Sequence, residues 1–192
     1  MKWIISILFL AFAAKAEVVE LPKPTAYILH GWSQDGGDKL HVYGTAFFIA
    51  SHTVLTCAHN MNKDRFELID GEKRLPVTCV KCDEEMDIAV LHCDEDRPAF
   101  ECVKNDAKNV KVFGSPRGGF IREFNATADH IQSDQLANRI LHAYRSNADH
   151  GCSGAPCLYE GKVMGMFQGI VKDSNICALI PYRRIEQFLS EK

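Results

Sequence analysis

Three short segments hold residue types that could jointly break an acyl bond. Thr53-Val54-Leu55-Thr56-Cys57-Ala58-His59 is an apolar run ending in a histidine. Asp87-Ile88-Ala89-Val90-Leu91 opens an apolar run on an aspartate, and Gly151-Cys152-Ser153-Gly154-Ala155-Pro156 sets a serine among glycines. A serine hydroxyl is a weak nucleophile at neutral pH and needs a base beside it. Histidine titrates near working pH and suits that task. A buried carboxylate fixes the imidazole tautomer and stabilises its charged form. Glycines beside the serine permit a sharp turn that aims backbone N–H groups at a developing oxyanion.

Each segment alone has a plainer reading: a histidine closing a strand, an aspartate forming a turn, a glycine pair marking a tight corner. The joint occurrence points to chemistry. His59, Asp87 and Ser153 follow in that order, 28 and 66 residues apart, each in a suitable strand or turn. Cys152 offers a rival thiol nucleophile, but the glycine spacing puts Ser153 at the nucleophile position.

The elements that must position these groups read mainly as short strands. Gly44 to Leu55 carries β-branched and aromatic residues in two runs around Ala50-Ser51-His52. Phe66 to Ile69, Ile88 to His92, Val110 to Phe113 and Val163 to Phe167 are further apolar runs. Asp70-Gly71, Gly114-Ser115-Pro116, Gly118-Gly119 and Glu160-Gly161 supply turn chemistry between them. Such a series predicts an all-β barrel or sandwich rather than alternating βαβ units. One helix is predicted at Tyr182 to Leu189, where Ile185, Phe188 and Leu189 fall on one face after Pro181. The polar stretch from Asp94 to Lys111 is a candidate lobe boundary.

Residues 1–16 read as a signal peptide: Lys2, an apolar run from Trp3 to Ala13, then the small residues of Ala14-Lys15-Ala16. The run is shorter than the roughly 20 residues of a spanning helix. Cleavage before Glu17 would leave a secreted domain, 17–192, with no membrane contact. The net charge of −3 and pI near 6.2 give no reason to expect a nucleic-acid partner. Neither a cofactor nor a metal is required, and oligomeric state is not legible.

All eight cysteines follow the leader, which favours disulfides, with bridges within each half as the first expectation. Cys79-x-x-Cys82 with His92-Cys93 is a looser match to a zinc site. Asn125-Ala126-Thr127 is a glycosylation sequon.

Taken together, the segments resemble the trypsin-like serine protease superfamily, and more closely its high-temperature-requirement branch. Gly44-Thr45-Ala46-Phe47-Phe48-Ile49 is similar to that branch's strand before the histidine, and Val112-Phe113-Gly114-Ser115-Pro116-Arg117-Gly118 to its Gly-Ser-Pro segment. Gly151 to Pro156 matches Gly-x-Ser-Gly-x-Pro, with Ala155 where another glycine is usual. Gly161 to Gly169 looks like the hairpin that follows, and Ala178-Leu179-Ile180-Pro181 like the closing strand.

The resemblance implies two six-stranded antiparallel barrels, about 25–100 and 108–181, with a C-terminal helix at about 182–190. It implies a serine endopeptidase that cleaves protein or peptide substrates. His59 would act as base and then acid, Asp87 as its orienting carboxylate, and Ser153 as nucleophile. The N–H groups of Gly151 and Ser153 would form the oxyanion hole. Phe167, Gln168 and Gly169 would pair with substrate as an added strand. Asn147 stands six before Ser153, where trypsin has its selective aspartate, which argues against strict Lys/Arg preference. Two other readings fit the same segments: an idle protease homologue that binds or regulates, and a virus-type processing protease.

Overall fold

The computed structural model describes residues 23–32, 40–129, 141–171 and 174–191; the leader-like segment lies outside them. Twelve strands form two closed antiparallel barrels. The first holds β1 (Ala26–Trp32), β2 (Leu40–Ala50), β3 (Thr53–Thr56), β4 (Arg65–Asp70), β5 (Lys73–Asp83) and β6 (Ile88–Cys93), in spatial order 1-2-3-6-5-4. The second holds β7 (Asn109–Gly114), β8 (Arg122–Ala128), β9 (His142–Ser146), β10 (Pro156–Tyr159), β11 (Lys162–Ile170) and β12 (Ile176–Pro181), in order 10-11-12-9-8-7. A helix, α1 (Tyr182–Ser190), ends the fold. This is the two-barrel, chymotrypsin-like architecture.

Period-two alternation builds each wall. In β7, Val110 and Val112 point inward while Asn109 and Lys111 face solvent. The first barrel closes where β1 pairs with β4, Leu29 opposite Leu68. The second closes where β10 pairs with β7, Cys157 opposite Val112. Among the described residues, closure leaves only short free stretches of sheet edge.

Three apolar clusters result. Leu29, Phe48, Val54, Leu68, Leu75 and Leu91 fill the first barrel. Val112, Ala126, Tyr144, Met164, Phe167 and Leu179 fill the second. A third cluster joins the barrels: Phe47, Ile88 and Val90 meet Val163, Met166 and Ile180, roofed by Ile185 and Phe188 of α1. Of the predicted apolar face, Ile185 and Phe188 are buried and Leu189 packs partly buried against the same cluster. A nine-residue helix is marginal by itself, so this burial holds it.

The segment between the barrels is laced to both. Phe100 N–H donates to the Phe48 carbonyl, and Val103 N–H donates to the Val163 carbonyl. Phe47 and Phe100 rings stack edge to face at 6.1 Å. The expected disulfides are absent among the described residues, where all eight cysteines are free thiols. Cys152, Cys157 and Cys177 lie in the second barrel's core, while Cys79 and Cys82 are exposed on β5.

Candidate active site

His59 lies on a single 3-10 turn, Ala58–Asn60, that follows β3. Asp87 stands at the tip of the β5–β6 hairpin with φ 57°, a left-handed conformation that aspartate tolerates better than most residues. Such strain is kept where surrounding structure holds it, and here His59 does. The His59 backbone N–H donates to Asp87 Oδ1 at 3.0 Å, and ring Nδ1 lies 2.9 Å from both carboxylate oxygens. The Asp87 side chain is 8% exposed and that of His59 49%, so the carboxylate is sealed while the imidazole opens outward.

Burial works to raise the Asp87 pKa. The hydrogen bonds from His59 ring and backbone override it, with a smaller push from Gln168, and the carboxyl lies below its ordinary range. A charged, fixed acceptor at Nδ1 leaves Nε2 as the free nitrogen of a neutral ring.

The serine turn is built by glycines at positive φ. Gly151 has φ 92° and Gly154 φ 86°, and a side chain at Gly154 would come within 2.1 Å of the Thr45 carbonyl. Cys152 N–H is bound to the Asp149 carbonyl and Gly154 N–H to the Phe167 carbonyl. The Gly151 and Ser153 N–H groups have no acceptor among the described residues. Ser153 Oγ likewise makes no hydrogen bond to the His59 ring.

Thr45 of β2 ties this turn to the first barrel. Its N–H donates to the Ser153 carbonyl at 2.8 Å, and its hydroxyl donates to the Gly151 carbonyl at 2.9 Å. The same hydroxyl accepts the Ser115 N–H at 3.0 Å, and the Thr45 carbonyl accepts the Thr56 hydroxyl at 2.8 Å. Asn60, beside His59, donates to the Ser153 carbonyl at 3.2 Å and to Thr56 Oγ1 at 3.0 Å. Sequence reading did not single out Thr45, Asn60 or Ser115. Their only local signal is membership of the strand before His59, the histidine turn and the Gly-Ser-Pro segment.

The substrate-strand residues divide. Phe167 is buried in the second core, its N–H donating to Ala155 and its carbonyl accepting both Gly154 N–H and the Cys57 thiol. Gln168 is the extra residue of a bulge between Phe167 and Gly169, where β11 is paired with β12 but has passed the end of β10. Gly169 borders open space. Asn147 is exposed in the loop after β9.

Other nucleophile and metal options narrow on the same geometry. Burial pushes the Cys152 thiol up to about 11, so it stays protonated at neutral pH. The donor atoms of Cys57, His59 and Asp87 lie within 4.8 Å of one another. The Cys57 thiol is, however, held well above its ordinary range by burial and by Asp87, and His59 Nδ1 is taken by the carboxylate. His142, buried between Asp106 at 3.6 Å and Arg183 at 3.2 Å, belongs to the junction of the linker and α1.

The two barrels with a histidine–aspartate pair on one and a glycine-framed serine on the other define a fold class. Residues 44–166 match the trypsin-like peptidase domain, and the chain belongs to that family. A Plasmodium falciparum protein described as a serine protease DegP homolog is 28% identical over 167 residues. That match covers 77% of this chain and 19% of the relative, so the chain spans about a fifth of its length. Among solved structures, the active form of the Rv3671c protease of M. tuberculosis shares the fold at TM-score 0.77 and 23% identity, over 88% of this chain and 80% of that one. The HtrA-type protease AlgW, solved with a decapeptide, gives 0.73 and 18% identity over 87% and 64%.

Proposed function

We propose that this chain is a serine endopeptidase with His59, Asp87 and Ser153 as its triad. The observation that carries the reading is the His59–Asp87 pair, bonded through both ring and backbone, beside a serine turn with two unpaired N–H groups. Ser153 Oγ attacks the scissile carbonyl and His59 Nε2 takes its proton, while Nδ1–H stays on the ionised Asp87. Gly151 and Ser153 N–H groups receive the oxyanion. His59 then protonates the leaving amine, and water releases the acyl group by the same route. An extended peptide pairs with the free edge of β11 from Gln168 to Ile170, not with Phe167, whose backbone groups are already bonded.

The lack of a Ser153–His59 hydrogen bond among the described residues does not by itself favour an idle homologue, because free enzymes commonly form this contact only on binding substrate. The leader-like residues 1–16 support export, which would carry the thiols into an oxidising compartment. Labelling by a fluorophosphonate probe tests the activity. We expect labelling of the native protein and none of Ser153→Ala; equal or absent labelling in both folded proteins would favour the binding-protein reading.

A further inference from the structure

The β5–β6 hairpin carries two cysteines that the candidate site does not use. Residues three apart on a regular strand face opposite sides. In β5 the register breaks: Cys79 stands opposite Leu91, Lys81 opposite Val90 and Cys82 opposite Ala89, leaving Val80 as the extra residue. Leu91 and Ala89 are two apart on β6, so the bulge returns Cys79 and Cys82 to one face. Their partner positions, Leu91 and Ala89, lie two strand steps or about 6.6 Å apart, within the roughly 4.4–6.8 Å over which disulfides join Cα atoms.

The neighbours decide what such a pair can take. A four-donor zinc site would need Cys93 and His92, and neither converges on it. Cys93 is buried opposite Val77. The His92 ring lies 6.0 Å from that of His52, with Nε2 bonded to Asp94. Cys79 and Cys82 are both exposed to reagents. The Cys82 thiol is pushed up to about 11 by partial burial and by Cys79 beside it, so the two sulfurs feel each other. Lys81, between them, donates Nζ to the carbonyls of Phe188 and Glu191 and sits 4.3 Å from the Phe188 ring. The bulge is therefore where the end of α1 is fastened to the first barrel.

We infer that Cys79 and Cys82 form a reversible dithiol–disulfide site, oxidised by small-molecule disulfides, that staples the bulge anchoring α1. One protein thiolate attacks a sulfur of the small disulfide, forming a mixed disulfide and releasing one small thiol. Cys82, whose raised pKa makes this the slower step, then loses its proton, displaces the other small thiol and closes the Cys79–Cys82 bond. The two protons leave on the two small thiols, and the two electrons reduce the small disulfide. This assignment does not depend on peptidase activity.

The test incubates the full chain with oxidised glutathione, blocks remaining thiols under denaturing conditions and digests with trypsin. Cleavage after Lys81 separates the two cysteines, so the bond appears as Leu75–Lys81 joined to the peptide that begins at Cys82. We expect that linkage in the native chain, its loss after dithiothreitol, and its absence in Cys79→Ser and Cys82→Ser. The Cys82 peptide also contains Cys93 and Cys102, so a linkage that survives Cys82→Ser would overturn the assignment. So would glutathione adducts on each cysteine without the linkage, or no oxidation at all.

Discussion

Replacing Thr45 with valine would remove one hydroxyl from the contact between the barrels while keeping the side chain's shape. That hydroxyl donates to the Gly151 carbonyl and accepts the Ser115 N–H, and both Thr45 and Ser115 are fully buried. Valine opens no cavity, yet it leaves a carbonyl and an N–H without partners. The buried Ser115 N–H left as an orphan costs about 1–3 kcal/mol, and the part-buried Gly151 carbonyl about 1 kcal/mol. The added methyl recovers at most about 1 kcal/mol, for a central net loss of about 2 kcal/mol. In a chain of this size that lowers the melting midpoint by roughly 4–8 °C. Removing one oxyanion donor outright costs about 100- to 1,000-fold in rate, which bounds the catalytic effect. A donor misaimed through a loosened Gly151 should cost about tenfold or more, in kcat rather than KM, because the proposed substrate pairing rests on β11. Melting by circular dichroism, and fluorophosphonate labelling below both midpoints, read the two arms. Thr45→Ser keeps the hydroxyl and should restore labelling. Native-like melting and labelling of Thr45→Val would refute the reasoning, and so would Thr45→Ser as damaged as Thr45→Val, since the retained hydroxyl would then not be what holds the site.

The same structure makes other outcomes measurable. Asp87→Asn should keep the fold and lower turnover by about 10⁴-fold, through loss of the correct His59 tautomer, as read by peptide hydrolysis. Gly154→Ala forces a side chain within 2.1 Å of the Thr45 carbonyl at φ 86°, and should leave little folded protein in solubility and dichroism assays. Phe188→Ala should cost about 3–5 kcal/mol in urea unfolding, since the ring roofs the cluster between the barrels. His142 is held below its ordinary value of 6.5 by burial, Asp106 working upward and Arg183 downward. The unfolded chain takes up that proton first, so this contribution is full above 6.5 and is lost as pH falls through the folded value. His30, lowered by burial and Arg74, acts in the same direction. Melting midpoints should fall from about pH 7.5 to about pH 5.5, and fall less in His142→Gln; identical slopes would remove His142 from that account.

What could be read from the chain was local. The runs at Gly44 to Leu55, Phe66 to Ile69, Ile88 to His92, Val110 to Phe113 and Val163 to Phe167 all became strands, because each alternates or buries within a few residues and ends at turn chemistry. The α1 stripe was legible for the same reason. β5 was not, since Lys73–Asp83 contains Pro76 and shows mostly exposed positions, and neither was β8, whose one large apolar residue, Phe124, stands among polar and small residues. Both are strands because a neighbouring strand supplies their hydrogen bonds.

The candidate site divides along the same line. His59, Asp87 and Ser153 announce themselves by residue type and by the turns around them, whereas their arrangement depends on contacts that no local window contains. Thr45 reaches Gly151 across 106 positions in the chain, and that bond exists only once two closed barrels dock. The bulges at Val80 and Gln168 are likewise set by what the partner strand offers, which is why the CxxC pair shares a face. Residue chemistry and short-range period were determined by the sequence alone. Register and the meeting of the two barrels were decided by the tertiary structure, because burial and hydrogen-bond satisfaction are properties of the whole packed chain.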